Sequence, residues 1–242
     1  MLASESVALD SLSFRLVRDI APGEAVFIDE GGRLHSQQCV ASVRHTPCIF
    51  EYVYFARPDS KIDNISVYRA RMRMGDRLAE KILRERANHD IDVVIPIPDT
   101  SRTSAQQLAQ RLGLKYREGF IKNRYIGRTF IQPDQSMRSR GVELKFNPLP
   151  EVLEGRRVVV VDDSIVRGTT TKPIVDLLRK AGAREVHVRI HSPAMRHPCY
   201  LGVDTARRDD LIAHRMSVRE ICAHIGADSL GYLSLPGLLR TQ

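Results

Sequence analysis

At 242 residues, with 43% hydrophobic side chains, 6% aromatics and no Trp, the chain can bury one full core, alone or beside a small appendage. Val, Ile, Leu and Ala would build that core, which suits an α/β protein with buried parallel strands. The net charge of +8, from 37 Lys and Arg against 29 Asp and Glu, fits a polyanionic substrate, a nucleic acid or a solvated basic surface, but no long basic run interleaved with aromatics suggests a stacking platform.

The first elements in chain order are a hairpin over residues 25–38, turning at Gly31-Gly32, and a strand from Ile49 to Phe55 closed by Arg57-Pro58-Asp59. Helical spacing follows, with Val67, Ala70, Met74, Leu78 and Ile82 on one face. Val93-Val94-Ile95 is a short buried strand ended by Pro96 and Pro98. Ala105, Leu108, Ala109 and Leu112 mark a helix stopped by Gly113. The polar, basic stretch from Lys122 to Arg140 reads as a long loop. Val158 to Val161 is an apolar β-branched strand, followed by a helix from Thr171 to Ala181, Gly182, and a strand from Val186 to Ile190. Strand–helix–strand of this kind implies a parallel βαβ unit. Short helices near 208–214 and 217–225 precede a last strand at Leu230 to Leu235.

The four cysteines, Cys39, Cys48, Cys199 and Cys222, form no CxxC pair, as in proteins of a reducing compartment. Residues 1–10 have neither a basic start nor an apolar run, and no stretch is long enough to span a bilayer. A soluble cytoplasmic protein is expected.

The chemistry concentrates in Val158-Val159-Val160-Val161-Asp162-Asp163-Ser164-Ile165-Val166-Arg167-Gly168-Thr169-Thr170. Ligands of open α/β sheets bind at the carboxyl ends of the strands. Backbone N–H groups of the Gly-containing loop and the helix start form an anion pocket, and Thr169 and Thr170 add hydroxyls. Asp162 and Asp163 repel phosphate, but accept hydrogen bonds from sugar hydroxyls or face a hard divalent cation. An isolated acidic pair would only end a strand; the whole run describes a ribose-5-phosphate site.

This run resembles the phosphoribosylpyrophosphate-binding signature of type I phosphoribosyltransferases, in the wording of the glutamine phosphoribosylpyrophosphate amidotransferases (amidophosphoribosyltransferases). The resemblance implies that Asp162 and Asp163 contact the ribose hydroxyls and Mg²⁺, and that Ser164, Ile165, Val166, Arg167, Gly168, Thr169 and Thr170 hold the 5-phosphate. Ile95-Pro96-Ile97-Pro98-Asp99-Thr100-Ser101 resembles the family's pyrophosphate loop, with Asp99, Thr100 and Ser101 at the substrate and Thr100 near the metal. Gly119 to Pro133 is similar to the catalytic loop: Lys122, Arg124 and Arg128 would neutralise departing pyrophosphate, with Asn123 and Tyr125 beside the substrate. Phe50 to Ser60 resembles the entry into the transferase domain.

The resemblance implies the type I phosphoribosyltransferase fold over 49–242, a mostly parallel sheet flanked by helices. Residues 1–48, with a small β hairpin, would be the end of a glutaminase half plus linker. The implied reaction transfers ammonia to C1 of 5-phosphoribosyl 1-pyrophosphate, the first step of purine synthesis. Implied partners are phosphoribosylpyrophosphate, ammonia, a glutaminase domain or subunit, purine nucleotide inhibitors and further copies of the chain. In the iron-sulfur branch, Cys48 and Cys199 resemble the first two ligands of a [4Fe–4S] cluster, half the required set, while Cys39 and Cys222 match no ligand and read as core. His187, His191 and His197 show no metal-ligand pattern. A rival reading is a phosphoribosylpyrophosphate-sensing regulator that binds DNA, against which the intact catalytic-type loop and the lack of a helix-turn-helix pattern both speak.

Overall fold

The computed structural model describes residues 1–41, 44–123, 125, 144–203, 205 and 207–241. They form two compact units, Met1–Val67 and Tyr68–Gln242.

In the first unit, helix α1 (Ser6–Asp10) is followed by strands β1 (Glu24–Ile28) and β2 (Leu34–Gln38), paired antiparallel as the spacing predicts. Asp29 organises their turn: its carbonyl accepts from Gly32 N–H and its carboxylate from Arg33 N–H. The expected strand at Ile49–Phe55 is instead one π-helical turn, Glu51–Phe55. Tyr52 and Val53 are adjacent and both buried, whereas a strand would send them to opposite faces. Phe50 stacks with Tyr54 and Phe55 at ring separations of 6.0 and 5.4 Å, contacts that the coiled backbone permits. The minimal hairpin β3 (Lys61–Ile62) and β4 (Ile65–Ser66) turns through Asp63 and Asn64, both at positive φ. Glu5 ties the unit together by accepting from Arg57 N–H at 2.9 Å and Ser60 Oγ at 2.7 Å. Cys39 is exposed rather than core, because every residue of the preceding strand β2 faces solvent.

Helix α2 (Val67–Glu85) begins at the last residue of the first unit and otherwise belongs to the second, and its predicted stripe of Val67, Ala70, Met74, Leu78 and Ile82 is buried. Strand β5 (Val93–Pro96), helix α3 (Arg102–Leu112) and strand β6 (Lys115–Tyr116) form one parallel unit. Gly113 ends α3 at φ 67°, a left-handed position that favours glycine. Strands β7 (Phe120–Lys122) and β8 (Phe146–Pro148) pair antiparallel, with Phe120 and Phe146 in edge contact at 5.9 Å. Lys122 thus ends a strand, and most of the basic stretch after it lies outside the described residues.

Short helix α4 (Pro150–Leu153) leads to β9 (Arg157–Asp162), α5 (Thr171–Lys180) and β10 (Glu185–Ile190). Helices α6 (Ile212–Arg215) and α7 (Val218–Ile225) precede β11 (Ser229–Tyr232). The predicted last strand stops at Tyr232 because Ser234 caps a new helix, α8 (Leu235–Leu239), accepting from Gly237 N–H at 3.2 Å.

The sheet is five-stranded in the order β11-β10-β9-β5-β6, and every neighbouring pair is parallel. Val158 to Val161 lie at its centre, each at most 2% exposed. From β5 the chain moves to one edge through β6; from β9 it moves to the other through β10 and β11. The direction of winding reverses between β5 and β9, where open α/β sheets place ligands.

Helices α2 and α3 approach closely. A Cβ on Gly75 would lie 2.4 Å from the Ser104 carbonyl oxygen. Helix propensity favours Ala over Gly by about 1 kcal/mol, while overpacking costs roughly 1–3 kcal/mol. Contact with rigid backbone makes the second effect win. Gly75→Ala should therefore lower the urea midpoint at unchanged m-value; a higher midpoint would contradict the close contact.

Candidate active site

Two strand ends meet at the reversal. Past β5, Ile97 N–H donates to the Val161 carbonyl at 2.8 Å, so the loop Pro98 to Ser101 runs beside the end of β9. The Pro98–Asp99 peptide is cis. Thr100 Oγ1 donates to Asp163 Oδ2 at 2.5 Å, Ser164 Oγ donates to Asp163 Oδ1 at 2.6 Å, and Ser101 Oγ lies 3.5 Å from Asp162 Oδ1. The Asp163 N–H donates to Asp162 Oδ1 at 2.9 Å.

Both carboxyls titrate above the usual carboxylate range. Loss of water is the main cause at Asp162, and the neighbouring charge of Asp163 adds to it. Loss of water also raises Asp163, against the hydroxyls of Ser164 and Thr100 and the charge of Arg71. Arg71 is 2% exposed and was not singled out from the sequence. Its signal was present: a guanidinium beside Ala70 and Met74, within the apolar stripe of α2, must have a buried partner.

The loop from Ser164 to Thr170 is anchored from behind. The Ile165 side chain belongs to the core, and Ile212 N–H donates to the Val166 carbonyl at 2.9 Å. Arg167 pairs with Asp210 at 3.5 Å. Gly168 has φ 76°, and a Cβ there would sit 2.7 Å from Ile212 Cδ1. Thr170 begins α5 but its side chain caps none of the first-turn N–H groups, so these donors and the helix dipole point toward the loop.

Lys122, at the end of β7, forms an ion pair with Asp99. Arg102 lies 3.7 Å from Asp99 and 3.4 Å from Glu118. Asn123 Oδ1 accepts from Tyr125 N–H at 3.0 Å, and the Tyr125 side chain is 99% exposed. Arg124 and Arg128 lie outside the described residues. The structure thus gathers Asp99, Thr100, Ser101, Lys122, Asp162, Asp163 and Ser164 around one crevice, with Gly168 to Thr170 leading into α5.

Residues 61–205 match the phosphoribosyl transferase domain. The chain belongs to the phosphoribosyltransferase family. It is 57% identical to the amidophosphoribosyltransferase of Pseudomonas aeruginosa over 239 residues, covering 99% of this chain and 48% of that protein. Identity to the Escherichia coli amidophosphoribosyltransferase is 52% over 239 residues, covering 99% and 47%. A solved glutamine phosphoribosylpyrophosphate amidotransferase from B. subtilis, complexed with ADP and GMP, superposes with a TM-score of 0.86 at 46% identity, over 98% of this chain and 51% of that one. The structure of the allosteric regulatory enzyme of purine biosynthesis gives the same score over 98% and 50%. The chain spans about half the length of the curated relatives it matches. The parallel sheet with flanking helices is the type I phosphoribosyltransferase fold expected from the signature.

The iron-sulfur expectation fares differently. Cys48 is exposed in the first unit and Cys199 is half-buried in the second. Among the described residues no group of three or more His, Cys, Asp or Glu could hold a metal ion. A [4Fe–4S] cluster takes four thiolates, so the described residues do not fit one.

The raised titration of Asp162 has a measurable consequence. The folded state binds that proton more tightly than the unfolded chain, whose carboxyl titrates near 3.8. Ionisation therefore opposes folding, with a penalty absent below 3.8, growing as pH rises through the folded value, and full above it. In metal-free buffer, Asp162→Asn should melt higher than the parent at neutral pH, with the gap narrowing as pH falls toward 3.8. Equal melting temperatures across that range would contradict it.

Proposed function

We propose that this chain carries the phosphoribosyl-transfer site of an amidophosphoribosyltransferase. Ammonia displaces pyrophosphate from C1 of 5-phosphoribosyl 1-pyrophosphate and gives 5-phosphoribosylamine. The observation that carries this reading is the meeting, between β5 and β9, of two carboxyls, Asp163 buried and Asp162 half-buried, with the Thr100 and Ser101 hydroxyls and the loop entering α5. Likeness to amidophosphoribosyltransferases along the chain supports ammonia as the nucleophile.

The residues take distinct roles. Ser164 to Thr170 and the first turn of α5 hold the 5-phosphate with N–H and hydroxyl donors. Asp162 and Asp163 accept from the ribose hydroxyls. Asp99, Thr100 and Ser101 border the pyrophosphate, with Asn123 and Tyr125 beside it. Lys122, Arg124 and Arg128 neutralise pyrophosphate as it departs. Lys122 exchanges its present partner, Asp99, for pyrophosphate oxygens.

As the C1–O bond breaks, its electron pair leaves with pyrophosphate and positive charge develops on the ring, beside the two carboxylates. The nitrogen lone pair of ammonia forms the C1–N bond from the opposite face, with inversion, and one ammonium proton passes to solvent. Positioning and charge stabilisation account for most of the acceleration.

Asp162, Asp163 and Thr100 offer hard oxygen donors. Mg²⁺ takes one or two carboxylates and completes its shell with substrate oxygens and water, so a pair of acids without a full protein cage fits it. Bound there, Mg²⁺ would neutralise charge on the leaving pyrophosphate.

Ammonia would come from a glutaminase domain or separate subunit. Assembly of several copies and inhibition by purine nucleotides extend the same reading, supported by the relatives described as an allosteric regulatory enzyme and as complexed with ADP and GMP. No helix among the described residues is long and apolar enough to cross a membrane, and a cytoplasmic location suits the biosynthetic role.

The test is pyrophosphate release from 5-phosphoribosyl 1-pyrophosphate, with Mg²⁺ and saturating ammonia. The parent chain should turn over. Asp162→Asn combined with Asp163→Asn should lower kcat/KM by roughly 100-fold or more, the scale for lost electrostatic stabilisation. Undiminished turnover in the double variant would remove the assignment.

A further inference from the structure

A second concave site lies along α2 and α3. These helices and Arg240, just after α8, enclose a cleft of about 400 Å3 whose lining side chains are all polar or charged. That size falls within the roughly 300–1,000 Å3 of small-molecule sites.

Helical geometry separates the cleft from the paired acids. Arg71 and Arg73 are two residues apart on α2, roughly 200° around its axis, so Arg71 serves Asp163 while Arg73 lines the cleft. Ser101 starts α3 beside Asp162, and Arg111 lies in the last turn, roughly 15 Å further along.

Charge in the cleft is lopsided. Arg73, Arg77, Arg111 and Arg240 face it, against Asp76 and Glu80. Both acids already have partners: Gln107 Nε2 donates to Asp76 Oδ1 at 2.9 Å, and Arg77 Nη1 to Glu80 Oε2 at 2.8 Å. Arg73 Nη1 donates to the Thr241 carbonyl at 3.3 Å. The guanidinium groups of Arg111 and Arg240 have no hydrogen bond or ion pair among the described residues. Like charges converging on one hollow repel unless an anion lies between them, and the guanidinium fork matches phosphate oxygens two at a time.

We propose that this cleft binds a multiply charged phosphate chain, that of a nucleoside triphosphate or of inorganic polyphosphate, separately from the phosphoribosyl site. Arg111 and Arg240 are its open donors. Both are exposed and outside the core, so their replacement should leave the fold intact, which an unchanged melting temperature would verify.

Isothermal titration of the full chain with inorganic tripolyphosphate, and separately with ATP, is the test, applied to the parent and to Arg111→Ala combined with Arg240→Ala. The variant should lose one binding event or bind about tenfold or more weakly, the scale of a lost charged hydrogen bond. Equal weakening with both probes assigns recognition to the phosphate chain alone. Weakening with ATP alone assigns it to the nucleoside triphosphate, and with tripolyphosphate alone to the inorganic chain. No binding by the parent, or unchanged stoichiometry and affinity for both probes in the variant, overturns the proposal.

Discussion

Two adjacent carboxyls withdrawn from water are the constraint around which the second unit is organised. Left alone, Asp162 and Asp163 would each lose solvation and repel the other. The fold answers with three hydroxyls, from Thr100, Ser101 and Ser164, and with the charge of Arg71. Thr100 and Ser101 come from the loop after β5, Ser164 from the loop after β9, and Arg71 from α2. Each requires its element to stand where it does. Yet desolvation remains the largest influence on both acids. The site retains a demand for hydroxyl donors or cationic charge, which the proposed phosphorylated sugar and Mg²⁺ would meet.

That demand can persist because the surrounding frame is rigid. β9 is central in the sheet, its four valines buried between parallel neighbours. Its last two residues are held from opposite flanks: Ile97 N–H reaches the carbonyl of Val161, and His191 N–H that of Asp162 at 3.0 Å. Behind the loop after β9, the Ile165 side chain packs in the core and the Ile212 N–H donates to the Val166 carbonyl, anchoring the backbone. Preorganisation here lies in the main chain.

Much of this was legible in the sequence, where local pattern and tertiary environment agree. Val158 to Val161 can hardly be anything but a buried strand, and the α2 stripe carries a clean helical period. Gly113 and Gly182 punctuate where the chain must turn. The failures share one cause: composition that suits one structure while packing selects another. The aromatic run from Phe50 to Phe55 has high strand propensity, but its side chains cluster around a helical turn. Leu233 and Leu235 continue an apolar run, yet Ser234 between them starts a helix. Arg71 carries no apolar signal, so the helical period of α2 does not mark it. Its partner is 92 residues away in sequence, and only the fold brings the two together.

Helix α2 also clarifies how a basic chain deploys its charge. A net +8 is compatible with an even coat of Lys and Arg, but the arginines of α2 are not equivalent. Arg71, buried among apolar neighbours, has an acid of the chain itself to answer, and its removal would leave Asp163 with one fewer counterweight. Arg73 and Arg77, two and six residues on, line an open polar cleft whose own acids are already engaged. A buried guanidinium fixes a charge in place, whereas one lining an open cleft adds its charge to a field that an arriving anion meets. One helix thus presents arginine in both capacities, and its tight seat against α3 at Gly75 holds the two faces in fixed register.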